Sequence, residues 1–185
     1  MNTDDDNTLF QAYINGEESA INTLVERYGD SLTVYLFGFT RNLQDAEDLM
    51  IEAFSRVIQR WNASESGMFK AYLFKTARNL ATNFYHRNRY RTVFSLEDLK
   101  NDPASESLME TYEREDRYRI LHLCLDRMDP ELREAVWLVY FEDMSYRQVA
   151  KTMRRTERQV EYLLSKGREY LRNALSREGI THPYS

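Results

Sequence analysis

The sequence predicts an all-α protein: two small helical domains joined by a flexible acidic linker. Three observations lead there. Apolar residues recur at three- and four-residue spacing along the 185 residues, and no run alternates as a half-buried strand would. Glycine and proline are scarce, at 6 and 3, while 42% of residues are hydrophobic, which fills real cores and excludes wholesale disorder. From Ser95 to Asp116 eight acids face two bases around the turn signal Asn101-Asp102-Pro103. The expected domains are residues 1–92 and 113–176, with 93–112 as linker and 177–185 as a loose tail.

Thr8 to Asn15 is expected as a short first helix, stopped at Asn15-Gly16. Glu17 to about Thr40 follows, with Ala20, Leu24, Tyr28, Leu32, Tyr35 and Phe39 on one stripe and Gly29 and Gly38 interrupting it. Asn42 can cap the next helix, with Asp45 at N3 and Glu47 and Asp48 near the positive helix end. That helix runs to about Trp61 on Ala46, Leu49, Met50, Ala53, Phe54, Val57 and Ile58.

Asn62 to Gly67 is a polar loop, and Met68 to about Tyr90 a further helix. It should bury Leu73, Ala77 and Leu80 and show Phe69, Tyr72, Arg78, Asn79, Asn83 and Tyr85 on its other faces. It ends in the run Tyr85-His86-Arg87-Asn88-Arg89-Tyr90-Arg91. Two readings fit this run. Rings that stack bases among cations that follow phosphates make a single-stranded nucleic-acid surface. Equally, arginines complement the negative end of a helix dipole.

Beyond the linker, Arg117 to about Arg127 is helical on Ile120, Leu121, Cys124 and Leu125. Asp129-Pro130, an N-cap followed by proline at N1, opens a helix carrying Leu132, Ala135, Val136, Leu138, Val139 and Phe141. Ser145 with Gln148 and Thr156 with Gln159 are two capping boxes eleven residues apart, room for about two helical turns and a tight connection. Val149, Ala150 and Met153 face inward on the first helix; Val160, Leu163, Leu164, Gly167 and Leu171 do so on the second. Arg158, Glu161, Tyr162, Ser165, Lys166, Arg168 and Arg172 remain outward. Lys151 to Arg172 holds seven bases and three acids, a local balance of +4 in a chain of net charge −5. A solvated charged face is the plain alternative. A helix-turn-helix entering the major groove accounts for the caps and the charge reversal together.

The polar, acidic start, Met1 to Asp6, is unlike a signal peptide, and no apolar run is long enough to span a bilayer. A single cysteine, Cys124, excludes an internal disulfide framework and points to a reducing cytoplasm. The acidic total argues against coating nucleic acid unaided. No cofactor or metal is called for. His86, His122 and His182 are scattered, without ligand pairing, and there is no phosphate-cradling loop or nucleophile elbow, so an enzyme is not expected.

Three stretches resemble a known family. Asp45-Ala46-Glu47-Asp48-Leu49 with Glu52-Ala53-Phe54 is similar to the D-A-E-D-L-x-x-E-x-F signature of region 2 in sigma factors of bacterial RNA polymerase. Phe69-Lys70-Ala71-Tyr72-Leu73 through Ala77-Arg78-Asn79 is similar to that family's F-x-x-W-L…A-R-N run, and Met144-Ser145-Tyr146-Arg147-Gln148-Val149-Ala150 to the opening of its region 4 helix-turn-helix. The order, and the lack of a third domain between them, resemble the extracytoplasmic-function (ECF) type.

The resemblance implies that Asp45, Glu47, Asp48 and Glu52 dock on the coiled coil of the polymerase beta-prime subunit, and that region 4 meets the beta flap. It implies that Arg78, Asn79 and Asn83 contact the opened −10 strand, with His86, Arg87, Arg89 and Arg91 on phosphates. It assigns the −35 element to Glu161, Tyr162, Ser165 and Lys166, flanked by Arg155, Arg158 and Arg168. Promoter DNA and an anti-sigma protein, which in relatives wedges between the two domains, complete the implied partners. Three departures stand out. Asn62-Ala63-Ser64 lacks the aromatic-arginine pair common in the −10 pocket loop. Arg154-Arg155 replaces a Gly-Ile pair, so the turn is expected to differ, because glycine tolerates positive φ more readily. Glu161 replaces a base; a carboxylate can accept from cytosine N4, so the −35 preference should be unusual. The competing reading is a stand-alone helix-turn-helix regulator with a helical sensing or dimerisation domain.

Overall fold

The computed structural model describes residues 5–61, 68–92, 121 and 123–177, with side chains of 88–92 excepted. Its described residues are helical or in turns, as the spacing predicts, and fall into two compact units, Met1–Asp102 and Pro103–Ser185. The 93–112 linker, the 62–67 loop and the tail from 178 lie outside the described residues.

The first unit is four helices: α1 (Asp6–Ile14), α2 (Glu18–Thr40), α3 (Leu43–Arg60) and α4 (Phe69–Thr92). Gly16 takes φ +101° just after α1, a conformation glycine adopts without strain. Across Gly29 and Gly38, α2 stays unbroken, because packing on α1, α3 and α4 outweighs about 1 kcal/mol of lost propensity at each glycine. At the head of α3 the Asp45 N–H donates to Asn42 Oδ1 at 2.9 Å, the expected cap. Ala20, Leu24, Leu32, Leu36, Ala46, Val57, Leu73, Phe74 and Ala77 fill the centre.

One expectation fails. Phe69 is not on an outer face of α4; it is 1% exposed. Its ring meets Phe10 at 5.9 Å, Tyr28 at 6.2 Å and Trp61 at 6.0 Å, so rings from α1, α2 and the end of α3 enclose it. Helical spacing on α4 alone locates only one of the sides it buries. Nearby, Asp6 pins α1 to α2, accepting from Arg27 and from the Tyr28 hydroxyl, each at 2.6 Å. Burial, then the bond to Asp6, pushes the Tyr28 phenol well above its ordinary range.

The second unit has a helical stretch at 123–126, then α5 (Pro130–Tyr140), α6 (Tyr146–Met153) and α7 (Glu157–Arg177). Cys124 and Leu125 are buried there, as expected. Asp129 caps α5 through the Glu131 N–H at 3.0 Å, with Pro130 at N1. Phe141 does not join the core; it is 39% exposed and stacks on Trp137 with centroids 4.4 Å apart. Leu132 and Leu171 are half-buried rather than fully enclosed. Against α5, α7 packs closely at Gly167, where an added Cβ would lie 2.6 Å from Val136 Cγ2.

Candidate nucleic-acid interface

Both capping boxes of the helix-turn-helix form. The Ser145 N–H donates to Gln148 Oε1 at 2.9 Å and the Gln148 N–H to Ser145 Oγ at 3.3 Å. The Thr156 N–H donates to Gln159 Oε1 at 2.8 Å and the Gln159 N–H to Thr156 Oγ1 at 3.2 Å. Each cap contributes about 1 kcal/mol and fixes where its helix starts. In the turn between them Arg154 sits at φ 56°, ψ 47°, in the left-handed region that glycine enters at less cost. The amides of Arg154 and Arg155 both donate to Ala150 O, which holds that conformation against its steric cost.

Burying Val160, Leu163, Leu164 and Gly167 leaves the opposite face of α7 outward. Arg158, Glu161, Tyr162, Ser165, Lys166 and Arg168 are all exposed on it, Tyr162 at 62%. Two of the expected cations are engaged. Arg155 Nε donates to Glu131 Oε1 at 2.7 Å, tying the turn to the first turn of α5. Lys166 donates to Glu169 at 3.0 Å, which raises its affinity for its proton. Both pairs are exposed and weak enough to exchange for phosphate.

In the first unit the four carboxylates expected to dock divide. Asp45, Asp48 and Glu52, spaced i, i+3 and i+7, share one side of α3; Glu47, two residues from Asp45, points about 200° round the helix. Asp48 is exposed, and Glu52 pairs with Arg56 at 2.6 Å.

The expected −10 residues also separate. Asn83, His86 and Arg87 of α4 line an open cleft with Leu80 and with Arg56 of α3. Asn79, half-buried, lies one turn above Asn83 on the same stripe. Arg78 is about 100° away from that stripe and half-buried. Arg89 and Arg91 lie beyond the described side chains, and so does the contrast at Asn62-Ala63-Ser64. Sequence reasoning does not single out Arg56. Its only signal is an i,i+4 relation to Glu52, which resembles any solvated helix pair.

Among the described residues no helix is long and apolar enough to cross a membrane, and no group of three or more His, Cys, Asp or Glu residues is placed to hold a metal.

Known proteins are similar to this chain in sequence and in fold. Residues 24–91 match the model of Sigma-70 region 2, and residues 118–171 that of Sigma-70, region 4. The chain is 29% identical over 167 residues to the ECF RNA polymerase sigma factor SigE of Mycolicibacterium smegmatis, covering 88% of this chain and 65% of SigE, so it spans about two thirds of that relative. It is 22% identical over 160 residues to the ECF RNA polymerase sigma factor SigM of Bacillus subtilis, covering 86% of this chain and 97% of SigM. A likeness of fold, at TM-score 0.61 and 21% identity, links it to the sigma factor RpoE of Bartonella quintana, solved with the anti-sigma factor NepR; it covers 84% of this chain and 96% of that one. With regions 2 and 4 both matched in order and ECF factors among its relatives, the chain belongs to the ECF subfamily of sigma-70 RNA polymerase sigma factors.

Proposed function

We propose that the chain directs promoter-specific initiation by bacterial RNA polymerase, in the cytoplasm and without a catalytic step of its own. The carrying observation is the division of charge within the first unit. Asp45, Asp48 and Glu52 give α3 an acidic side, while Arg87 of α4 and Arg56 of α3 make the cleft beside Asn83 and His86 cationic. The acidic side docks on basic residues of the beta-prime coiled coil. The cleft and Asn79 take the −10 strand as the duplex opens, where a pocket must return the few kcal/mol lost on extracting a base. In the second unit, which meets the beta flap, the outer face of α7 reads the −35 element, with Glu161 accepting from cytosine N4. An anti-sigma protein is the proposed inhibitor, by likeness to the RpoE complex.

Run-off transcription with core polymerase on a promoter library, with start sites read by sequencing, tests this. New start sites that share two spaced elements are expected. A chain that neither co-elutes with core polymerase nor moves any start site ends the proposal.

A further inference from the structure

Arg56 connects two surfaces that belong to different tasks. It lines the cleft with Leu80, Asn83, His86 and Arg87, and none of these lining residues is acidic. Yet its Nη2 lies 2.6 Å from Glu52 Oε1, and Glu52 belongs to the acidic side of α3. The two side chains are 44% and 42% exposed, so the pair is screened by water and weakly held. A competing cation can take the carboxylate, or a phosphate the guanidinium.

The cleft has chemistry for a nucleic-acid strand. Guanidinium forks match phosphate oxygens, a carboxamide can meet a base or sugar, and Leu80 offers an apolar floor. We propose that Arg56 is a phosphate-contacting residue of this cleft for single-stranded DNA, held in reserve by Glu52 until a basic partner takes the Glu52 carboxylate. This rests on the reading of α4 as the strand-capturing helix, and adds to it a residue from the docking helix and a link between docking and capture. Charges stay matched in the exchange: the partner's cation pairs with Glu52, and the DNA phosphate pairs with Arg56. Because the coupling is a free energy between two sites, captured DNA tightens docking by the same factor that docking tightens capture.

The test is fluorescence anisotropy of a labelled oligo(dT) strand with the full-length chain over a salt series. Glu52→Gln should tighten binding about two- to five-fold, the range an exposed pair can supply. In the Glu52→Gln background, where Arg56 is released, Arg56→Ala should flatten the plot of log affinity against log salt by roughly 0.7, one phosphate on a single strand, while Arg56→Lys keeps the slope. The Glu52→Gln gain should vanish when Arg56→Ala is present. Glu26→Gln, the same charge change at an exposed site on α2, is the control for net charge and should give no such gain. If the Glu52→Gln gain survives without Arg56, simple loss of negative charge explains it and the link is wrong. If Arg56→Ala leaves the slope intact in the Glu52→Gln background, Arg56 touches no phosphate. Unchanged binding after joint alanine substitution of Asn83, His86 and Arg87 removes the strand-capture reading itself, and this inference with it.

Discussion

The two units hold themselves together by different means. The second is specified locally: Asp129, Ser145 and Thr156 each close a cap within three residues, and α6 and α7 begin where those caps put them. The first is specified at a distance. Phe69 meets rings from Phe10, Tyr28 and Trp61, and Asp6 reaches Arg27 and Tyr28 more than twenty residues on. Local signals place a surface on a helix; only long-range packing decides which helix faces are inside. The chain has two tryptophans, Trp61 in the first unit and Trp137 in the second, so single-tryptophan variants report on each unit separately.

The sharpest way to break this comparison is Phe69→Ala. It empties the ring cluster and should lower the stability of the first unit by about 3–5 kcal/mol. Urea unfolding followed through Trp61, in a Trp137→Phe background, measures it; a loss under about 1 kcal/mol, within the range of a tolerated swap, would mean the cluster does not organise the unit.

Gly167→Ala probes a tight approach on which the second unit depends. Its Cβ would arrive 2.6 Å from a methyl of Val136, itself 2% exposed. Overpacking of about 1–3 kcal/mol should outweigh about 1 kcal/mol of gained helix propensity. Trp137 in a Trp61→Phe background reads the transition, and a stabilised variant would show that Val136 gives way freely.

The smallest expected effect is a gain. Arg154→Gly relieves a left-handed residue and should stabilise the second unit by about 0.5–1 kcal/mol, after the entropy glycine recovers on unfolding. A loss in the same Trp137 assay would mean that the arginine side chain supports the turn.

Legibility in the sequence follows the same division. Asn42, Asp129 and both capping boxes are readable because a cap joins residues two or three apart. The outward face of α7 is readable because a helix with one buried stripe leaves only one opposite side. Phe69 is not readable, because the rings that cover it come from α1, α2 and the end of α3. Arg155 reads as a free cation, since Glu131 stands twenty-four residues earlier. The four carboxylates of α3 read as a single face until helical geometry separates Glu47 from the other three.

Gly167 has a consequence for recognition as well as for stability. The missing side chain lets α7 settle deep against α5, and that depth sets how far the outer ridge of α7 stands proud of the unit. An added methyl on the hidden side that Val136 does not absorb would shift the ridge, and carry Tyr162, Ser165 and Lys166 with it. On the proposed −35 reading, promoter preference can therefore drift through an interior position while every outward residue of α7 stays the same.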